Sequence, residues 1–538
     1  MSDSLYKRRV IVAVCSLMTA IIFLLFRLFC LSYGENESME ALSGQYTRKN
    51  TVAGHYGFIY DTKGKLMSHT ESGTLAVINP YEVADKEKTA VFVASHSAHS
   101  GKSILERLNG SVPFTVSLDC TKNENTPQGV ELYPLYTEEN ASVCRHLLGY
   151  RNGDGKAMSG FYKLSGDTLF SLSLSYTSDA AGGLIPGQTV ITEDALYTSE
   201  KGIVTTLNFS LQKKIDEICD KHLDMGAVIV SDIQTGEILA LCSRPLYKKD
   251  SIAAYLDSDR GELINRAFAA YTPGSVFKAL VAAAALEKEL ELYEYEYTCT
   301  GSCDVSGKLF FCHKNDGHGS QTMKEAFANS CNTYFIKLMN ETGFDVVLSM
   351  CEKMGLADLT DIDGFGVQSA FLPEKGRGYP DAYKANFSFG QGDLLLTPLH
   401  IMRIYGICAS GKKTDFSLVK GMYDGDVFKL SEEKESERIL SRPVVRRMRK
   451  MMEECVKSGT GKAAFSEDVG IGGKTATSQS GQIKDGKEVV HRIFAGVFPI
   501  DNPKFTLVVL CDGNGENKAS PQVIFSECAS EVVKLCNK

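Results

Sequence analysis

The sequence has 538 residues, of which 43% are hydrophobic and 23% are charged, and its formal net charge is −8. A chain of this length and composition predicts two to four globular domains with sizeable cores. The acidic balance and the lack of a long basic run exclude nucleic acid as the main partner, because phosphate binding requires clustered Lys and Arg.

The N-terminus predicts a membrane anchor. Three basic residues at 7–9 precede an apolar stretch that runs to Tyr33 and is interrupted only by Arg27. About 20 helical residues suffice to cross the core of a bilayer. The basic flank favours a cytoplasmic N-terminus. We therefore expect residues 1–9 in the cytoplasm and one membrane helix over 10–33, with the remainder outside. A cleaved signal peptide is the alternative.

The next segment, 34–205, is rich in turns and short candidate strands and lacks long helical periodicity. Residues 56–67, YGFIYDTKGKLM, predict a strand, a turn and a second strand. Residues 142–160, SVCRHLLGYRNGDGKAMSG, predict a short helix that leaves through a glycine-rich loop. We interpret 34–205 as an elongated, non-catalytic α+β domain.

Longer regular elements follow in the remaining segment, 206–538. Helical spacing of apolar residues appears in 208–223, and two apolar runs flank the turn QTGE at 234–237, which predicts a hairpin. The Ala-rich segment 275–290 predicts a buried helix, further helices extend to about Lys457, and strands then precede a last helix. Strands at both ends of a helical block predict an antiparallel sheet covered by helices, an α+β fold.

Two short motifs could supply a nucleophile and its base. Ser275 follows Pro-Gly and lies one helical turn before Lys278, so the amine can reach the hydroxyl. Ser330 and Asn332 lie two residues apart between two helical segments, where they could shuttle a proton and position a substrate. Ser-x-x-Lys by itself is a weak signal, because it also begins at other serines: Ser4, Ser210, Ser410, Ser417 and Ser431. An N-capping serine beside a surface lysine is the plain alternative.

A third motif, GGKTATS, places Lys474, Thr475 and Thr477 on a candidate strand. An amine and two hydroxyls could bind the carboxylate of a peptide, and a free strand edge could pair with the peptide backbone. The backbone N–H groups of Thr477 and Ser275 could form an oxyanion hole.

In this chain order the three motifs resemble the active site of penicillin-binding proteins and serine β-lactamases. The second motif begins 55 residues after Ser275 and the third 199 residues after it. Two flanking segments also resemble that family: FGQGDLLLTPLHI at 389–401 and SGTGKAA at 458–464. The resemblance extends from about residue 207 to the C-terminus. More weakly, the N-terminal segment resembles the non-catalytic domain of class B, the monofunctional transpeptidases with a single anchor.

The resemblance implies a penicillin-binding, β-lactamase-like transpeptidase fold over 206–538 and a peptidoglycan D,D-transpeptidase that β-lactams acylate. It implies the catalytic residues Ser275, Lys278, Ser330, Asn332 and Lys474. The substrate-binding residues that it implies are Thr475, Ala476 and Thr477. It implies neither a cofactor nor a metal ion in the reaction.

The resemblance also implies partners. These are peptidoglycan stem peptides, membrane lipid and a glycosyltransferase of the SEDS family, since no polymerising domain is evident in the sequence. The catalytic domain is expected outside the cell membrane. Roles in elongation, division and sporulation all remain open.

The sequence departs from the family pattern at Ala476, where glycine is usual, and at Tyr56 and Thr62, where arginines are usual. The methyl group of Ala476 could crowd an acyl substrate. Two alternatives to a transpeptidase stay open. The first is a D,D-carboxypeptidase or β-lactamase-type hydrolase on the same fold, because the motifs do not distinguish water from an amine as acceptor. The second is a catalytically weak scaffold that binds β-lactams, which only Ala476 favours.

Of the 16 cysteines, most lie singly in apolar segments, as buried free thiols do. A cysteine-rich segment is different: CTGSCDVSGKLFFCHKNDGHG contains Cys299, Cys303, Cys312, His313 and His318. Its loose spacing favours free thiols first, a Cys303–Cys312 disulfide across a hairpin second, and a structural zinc ion third.

Overall fold

The structure is a computed structural model that describes residues 2–33, 46–120, 126–138, 143–179, 183–185, 189–424, 428–430, 436–484 and 486–536. These residues form two compact units. The first comprises residues up to His55, Glu71–Tyr136 and Phe170–Thr198. The second comprises Tyr56–Thr70, Thr137–Leu169 and Ser199–Lys538. Residues 34–45, where the N-terminal domain is predicted to begin, lie outside the described residues.

The division differs from the sequence boundary at residue 205, because three segments before that boundary, 56–70, 137–169 and 199–205, belong to the second unit. Both predicted motifs of the N-terminal half, at 56–67 and 142–160, fall largely in segments that belong to the second unit. Of the first motif, the strand Phe58–Tyr60 is formed, with a bridge from Tyr60 to Leu66.

The first unit contains one helix, α1 (Ser2–Tyr33), that is long and apolar enough to cross a membrane among the residues described, over Tyr6–Cys30. Its other helices are α2 (Lys86–Ser95) and α3 (Gly101–Leu108). The sequence did not predict these two. The β-branched and apolar residues of α2 lack a clear helical period. The N-terminus of α2 is capped by the Asp85 side chain, which accepts a hydrogen bond from the Lys88 N–H.

Two small antiparallel sheets complete the first unit. Their strands are β1 (Thr47–His55), β3 (His69–Ile78), β4 (Phe114–Leu118), β5 (Val130–Glu138), β6 (Phe170–Thr177) and β7 (Ile191–Ala195). The strand orders are β1-β6-β7 and β4-β3-β5. Helices α2 and α3 contribute Ala90, Val93, Ile104 and Leu108 to the core with the second sheet.

The second unit is built on a five-stranded sheet whose strands come from both ends of the unit. They are β9 (Gly226–Asp232), β10 (Ile238–Arg244), β21 (Gly472–Lys484), β22 (Lys487–Phe498) and β23 (Phe505–Cys511). The order is β10-β9-β23-β22-β21, every pair is antiparallel, and β21 is an edge strand. The predicted hairpin and the predicted meeting of the two strand groups are both present.

Small strands surround this sheet. They are β2 (Phe58–Tyr60), β8 (Gly202–Thr205), β11 (Tyr297–Cys299), β12 (Ser302–Val305), β13 (Lys308–Phe311), β14 (Gly319–Gln321), β15 (Asp361–Ile362), β16 (Phe365–Gly366), β17 (Lys412–Thr414), β18 (Val419–Tyr423), β19 (Phe428–Leu430) and β20 (Ser436–Arg438). Two of the resulting ribbons, β11–β14 and β12–β13, lie in the cysteine-rich segment.

Helices of the second unit pack on the sheet and on one another. They are α4 (Arg145–Leu148), α5 (Gly160–Ser165), α6 (Phe209–His222), α7 (Lys278–Lys288), α8 (Met323–Ala328), α9 (Asn332–Thr342), α10 (Phe344–Lys353), α11 (Asp381–Ser388), α12 (Pro398–Ser410), α13 (Arg442–Lys457) and α14 (Pro521–Cys536). Helix α7 is central, because every residue from Lys278 to Leu286 is buried. Its run of alanines lets neighbouring helices and the sheet approach closely, as the buried segment 275–290 predicted.

Candidate active site

Ser275 lies in a 3₁₀ turn, Gly274–Phe277, that leads directly into α7. Its side chain caps neither element, so the plain N-cap alternative does not hold. Gly274 has φ = 58°, and a Cβ there would lie 3.1 Å from the Ser478 Cβ on β21. The Gly274 N–H donates to the Gly390 carbonyl at 2.9 Å. A glycine with a left-handed backbone therefore places the serine against the edge strand.

Lys278 does not extend to solvent, as the plain alternative expects, because it is fully buried. Its Nζ donates to the Ser330 carbonyl and to Asn332 Oδ1, both at 2.8 Å, and lies 3.3 Å from Ser330 Oγ. Burial, reinforced by the charge of Lys474, lowers the pKa of Lys278 well below its usual value. The neutral amine, which can accept a proton, is thereby favoured.

Ser330 and Asn332 occupy the junction between α8 and α9, as the sequence predicted. Ser330 has φ = 57°, a left-handed conformation that costs a non-glycine residue about 1–3 kcal/mol. This backbone turns both its carbonyl and its hydroxyl toward Lys278. Asn332 also donates to the Phe311 carbonyl at 3.3 Å, which links the junction to the cysteine-rich segment. Ser275, Lys278, Ser330 and Asn332 are called the helical cluster below.

The third motif lies on the edge strand β21, where side chains alternate between the two faces. Lys474 and Ala476 are buried, Thr475 is half-buried and Thr477 is exposed. Burial lowers the pKa of Lys474 below its usual value. The residues Lys474, Thr475, Ala476 and Thr477 are called the strand segment below.

The Ala476 methyl group, which the sequence suggested could crowd a substrate, is only 4% exposed. Its Cβ lies 3.4 Å from the position that a Cβ on Gly274 would occupy. The methyl group therefore packs into the core against the nucleophile turn, on the face opposite Thr475 and Thr477.

Thr460, which the motifs did not single out as a site residue, joins the strand segment to the end of α8, two residues before Ser330. Its hydroxyl lies 2.7 Å from Thr475 Oγ1 and accepts from Lys474 Nζ at 3.3 Å. Its N–H donates to the carbonyl of Ala328, at the end of α8. The sequence did contain a sign of this residue, because the segment 458–464, SGTGKAA, resembles the family. No role was assigned there to its threonine.

These groups together can perform acyl transfer. A hydroxyl at a helix N-terminus, a buried amine one turn later and a second hydroxyl beside that amine are the kinds of group that acyl transfer needs as nucleophile, base and proton relay. The edge strand adds hydroxyls and backbone groups that could bind an extended peptide. All eight predicted site residues lie in the second unit.

The cysteine-rich segment contains free thiols, the state that the sequence favoured first. Cys303 lies opposite Phe310 across β12–β13, and both Cys303 and Cys312 are free thiols. Cys312 instead contacts Cys331, the central residue of the second motif, with 3.9 Å between their sulfur atoms. The free thiols that the sequence favoured first are therefore present in this structure, and the second-ranked Cys303–Cys312 disulfide is not.

Tyr56 and Thr62, the two other residues that differ from the family pattern, both contact residues of the second unit. The guanidinium of Arg151 stacks over the Tyr56 ring at 3.7 Å. Thr62 Oγ1 accepts from Lys420 Nζ at 2.9 Å. An arginine thus contacts position 56 from another part of the chain.

Comparison with known proteins finds similarity over most of the chain. Residues 226–529 match the family model of the penicillin binding protein transpeptidase domain. Stage V sporulation protein D of Bacillus subtilis is 27% identical over 498 residues, covering 85% of this chain and 74% of that protein. The peptidoglycan D,D-transpeptidase FtsI of Buchnera aphidicola is 24% identical over 417 residues, covering 74% of this chain and 68% of that protein.

A solved structure described as a peptidoglycan synthase complex that coordinates polymerization and crosslinking has the same fold. It superposes with a TM-score of 0.65 at 20% identity and covers 98% of both chains. The α+β transpeptidase fold and the family that the three motifs predicted are thereby confirmed. More than half of the chain matches the family model, so this protein belongs to the penicillin-binding protein transpeptidase family.

Proposed function

We propose that this protein is a membrane-anchored peptidoglycan D,D-transpeptidase in which Ser275 is the nucleophile. One observation carries the assignment. The fully buried Lys278, one turn after Ser275, directs its Nζ to Ser330 and Asn332, which are 52 and 54 residues away in sequence. A buried lysine held by three acceptors is costly to a fold unless its chemistry is used.

In the proposed first step, neutral Lys278 accepts the Ser275 proton while Oγ attacks the penultimate D-Ala carbonyl of a stem peptide. The C–N bond to the terminal D-Ala breaks, and the leaving amine receives the proton through Ser330 and Lys474. An amine of a neighbouring stem then attacks the ester, forms the crosslinking amide and returns the proton to Ser275. Lys278 thus acts as base and then as acid.

The strand segment binds the donor peptide in this proposal. Thr475 and Thr477 hold the carboxylate, and the open edge of β21 pairs with the peptide backbone. The N–H groups of Ser275 and Thr477 form the oxyanion hole. The packing of β21 against the turn Gly274–Phe277 supports this arrangement. Asn332 positions both Lys278 and the substrate.

The remaining assignments concern location and partners. Helix α1 anchors the chain in the cell membrane, with residues 1–9 cytoplasmic and the catalytic domain outside. The part of the first unit that follows α1 contributes a non-catalytic domain. A SEDS-family glycosyltransferase polymerises the strands that this enzyme crosslinks, and the fold shared with the peptidoglycan synthase complex supports such a pairing.

The test uses the full-length chain in detergent with a fluorescent penicillin, because a β-lactam acylates the same hydroxyl. We expect stable labelling of the parent protein and none of Ser275→Ala. Ser210→Ala is the matched control, since Ser210 and Lys213 repeat the Ser-x-x-Lys pattern on an exposed face of α6. It should label like the parent.

The outcomes separate the candidate functions. Transient labelling with release of hydrolysed drug would indicate a hydrolase on this fold. Failure of the folded parent to label would contradict the proposed chemistry and favour a scaffold. Formation of crosslinked dimers from a pentapeptide-bearing glycan by the labelling-competent protein would support transfer to an amine rather than to water.

A further inference from the structure

Four potential metal ligands converge beside the helical cluster. The Sγ atoms of Cys299, Cys312 and Cys331 and a ring nitrogen of His318 all lie within 4.8 Å of one another. The three cysteines are buried, with exposed fractions of 1%, 3% and 0%, and His318 is half-buried. These four residues are called the Cys₃His cluster below. They belong to none of the proposed catalytic or substrate-binding groups.

Two distances within the cluster match those of a tetrahedral zinc ion. Zinc binds sulfur at about 2.3 Å and imidazole nitrogen at about 2.0–2.1 Å, so tetrahedral ligands stand about 3.8 Å (S to S) and about 3.6 Å (S to N) apart. Here the Cys312 and Cys331 sulfurs are 3.9 Å apart, and Cys312 Sγ lies 3.4 Å from His318 Nδ1. A disulfide requires about 2.05 Å. The spacing is thus that of two ligands of one ion.

The fold brings the four residues together from separate elements. Cys299 ends β11 opposite Gly319 of β14, so His318, the residue before Gly319, lies beside it. Cys312 follows β13, and its N–H donates to the Gly301 carbonyl at 2.8 Å. Gly317 has φ = 75°, and a Cβ there would lie 2.1 Å from the Cys299 carbonyl. Only glycine permits this approach, which holds the loop from Cys312 to His318 against Cys299.

This arrangement explains why the sequence ranked zinc last. The four ligands are separated by 13, 6 and 13 residues, and none forms a Cys-x-x-Cys pair. Zinc modules identified from sequence have short, fixed ligand spacings. The hairpin β12–β13 and helix α8 occupy the longer intervals here.

The cluster is coupled to the helical cluster through the second motif. Cys331 stands between Ser330 and Asn332, the two residues that contact Lys278 Nζ. Asn332 also donates to the carbonyl of Phe311, the neighbour of Cys312. A ligand bond to Cys331 would thus restrain the left-handed backbone at Ser330.

We propose that Cys299, Cys312, His318 and Cys331 bind a structural zinc ion that fixes the loop carrying Ser330 and Asn332. Four protein ligands close the coordination sphere, so the ion takes no part in acyl transfer. Binding releases the thiol protons to solvent and leaves three thiolates on the metal. Metal binding does not depend on the proposed function, whereas the positioning effect does.

The first experiment measures bound zinc in the full-length protein, purified under reducing conditions without added metal, by elemental mass spectrometry. We expect about one zinc per chain in the parent. Cys299→Ser and Cys312→Ser should lose it. Cys303→Ser is the matched control, because Cys303 lies in the same segment but outside the cluster, and it should retain the metal.

Two further variants guard against misfolding. His318→Cys offers a fourth thiolate and should keep the zinc, whereas His318→Ala should lower it to a small fraction. Cobalt substitution should give the intense thiolate charge-transfer absorption of a tetrahedral site in the parent and in Cys303→Ser. Zinc-free parent protein that is folded and reduced would overturn the proposal, and so would a Cys312–Cys331 disulfide found by peptide mass mapping.

The second experiment tests positioning. Removal of zinc by a chelator should slow fluorescent-penicillin labelling of Ser275 at least tenfold, and zinc should restore it. Unchanged labelling of zinc-free protein would refute the positioning effect. Parent protein that holds zinc but never labels would instead contradict the proposed function and leave the metal site standing.

Discussion

The helical cluster and the strand segment meet in one site but are built differently. In the helical cluster, Lys278 is fully buried and its amine has two acceptors at 2.8 Å. In the strand segment, Lys474 is equally buried, yet its nearest acceptors lie at 3.2–3.3 Å, and Thr477 is exposed on an edge strand. The amine of the helical cluster is therefore held more closely, whereas the strand segment presents Thr477 at an open strand edge.

This difference indicates a division of labour. A group whose geometry is fixed beforehand can hold a proton donor or acceptor in place during reaction. A strand edge with exposed hydroxyls gains its partners only when a peptide binds. Substitutions in the helical cluster should therefore act on the rate of bond making, and those in the strand segment on recognition.

The largest expected effect is that of Lys278→Met, which removes the proposed base from the helical cluster. General acid–base catalysis contributes about 10²–10⁴-fold, so the rate constant for penicillin labelling should fall by about that factor. Lys288→Met is the matched control. Lys288 is exposed at the other end of α7, where it bonds to Glu341 and Thr342 carbonyls. Stopped-flow labelling of both variants measures this. Equal rate constants for Lys278→Met and Lys288→Met would mean that the helical cluster does not set the rate of bond making.

A pH profile should show the next largest effect. Lys278 must be neutral to accept the Ser275 proton, so labelling should slow as pH falls through the pKa of Lys278 in the folded protein. Burial and Lys474 lower that pKa, so the midpoint should lie well below the usual lysine value of about 10.4. Below the midpoint the rate should fall about tenfold per pH unit. A midpoint near 10.4 would contradict the proposed base.

For the strand segment, Thr477→Val should reduce labelling by about tenfold. A hydrogen bond to a charged carboxylate is worth about 1.5 kcal/mol or more, and penicillins carry such a carboxylate. A higher penicillin concentration should be needed for half-maximal labelling rate, while the limiting rate at saturating penicillin should stay unchanged. Gln479→Ala, two residues along the same exposed face of β21, is the control and should behave like the parent. A fall only in the limiting rate would mean that Thr477 acts on bond making, as the helical cluster does, and not on recognition.

The smallest effect is expected from Ala476→Gly, which restores the residue usual in the family. The methyl group packs against Gly274 and not toward the exposed threonines, so labelling should change by less than about threefold. The free energy of unfolding should decrease by about 0.5–1 kcal/mol, because glycine loses more entropy in a strand. A gain of tenfold or more in labelling would mean that the methyl group obstructs the substrate after all.

Local patterns predicted much of the second unit. The hairpin β9–β10, the buried helix α7, the junction at Ser330 to Asn332 and the late strands all follow from apolar period, turn residues and helix breakers. The first unit was predicted less well. Helices α2 and α3 are short, and α2 is rich in β-branched residues, so tertiary contacts of Ala90 and Val93 outweigh a weak local preference.

The sequence by itself determined the order of the three motifs, the buried helix α7 that follows Ser275 and the apolar N-terminal segment, because each is encoded in neighbouring residues. Only the tertiary structure decided which face Ala476 occupies and that Thr460 joins Lys474 to Thr475. It alone brought Cys331 to Cys312 and His318. These relations link residues that lie far apart in the chain, and the sheet order and close glycine contacts that create them leave no periodic trace in the sequence.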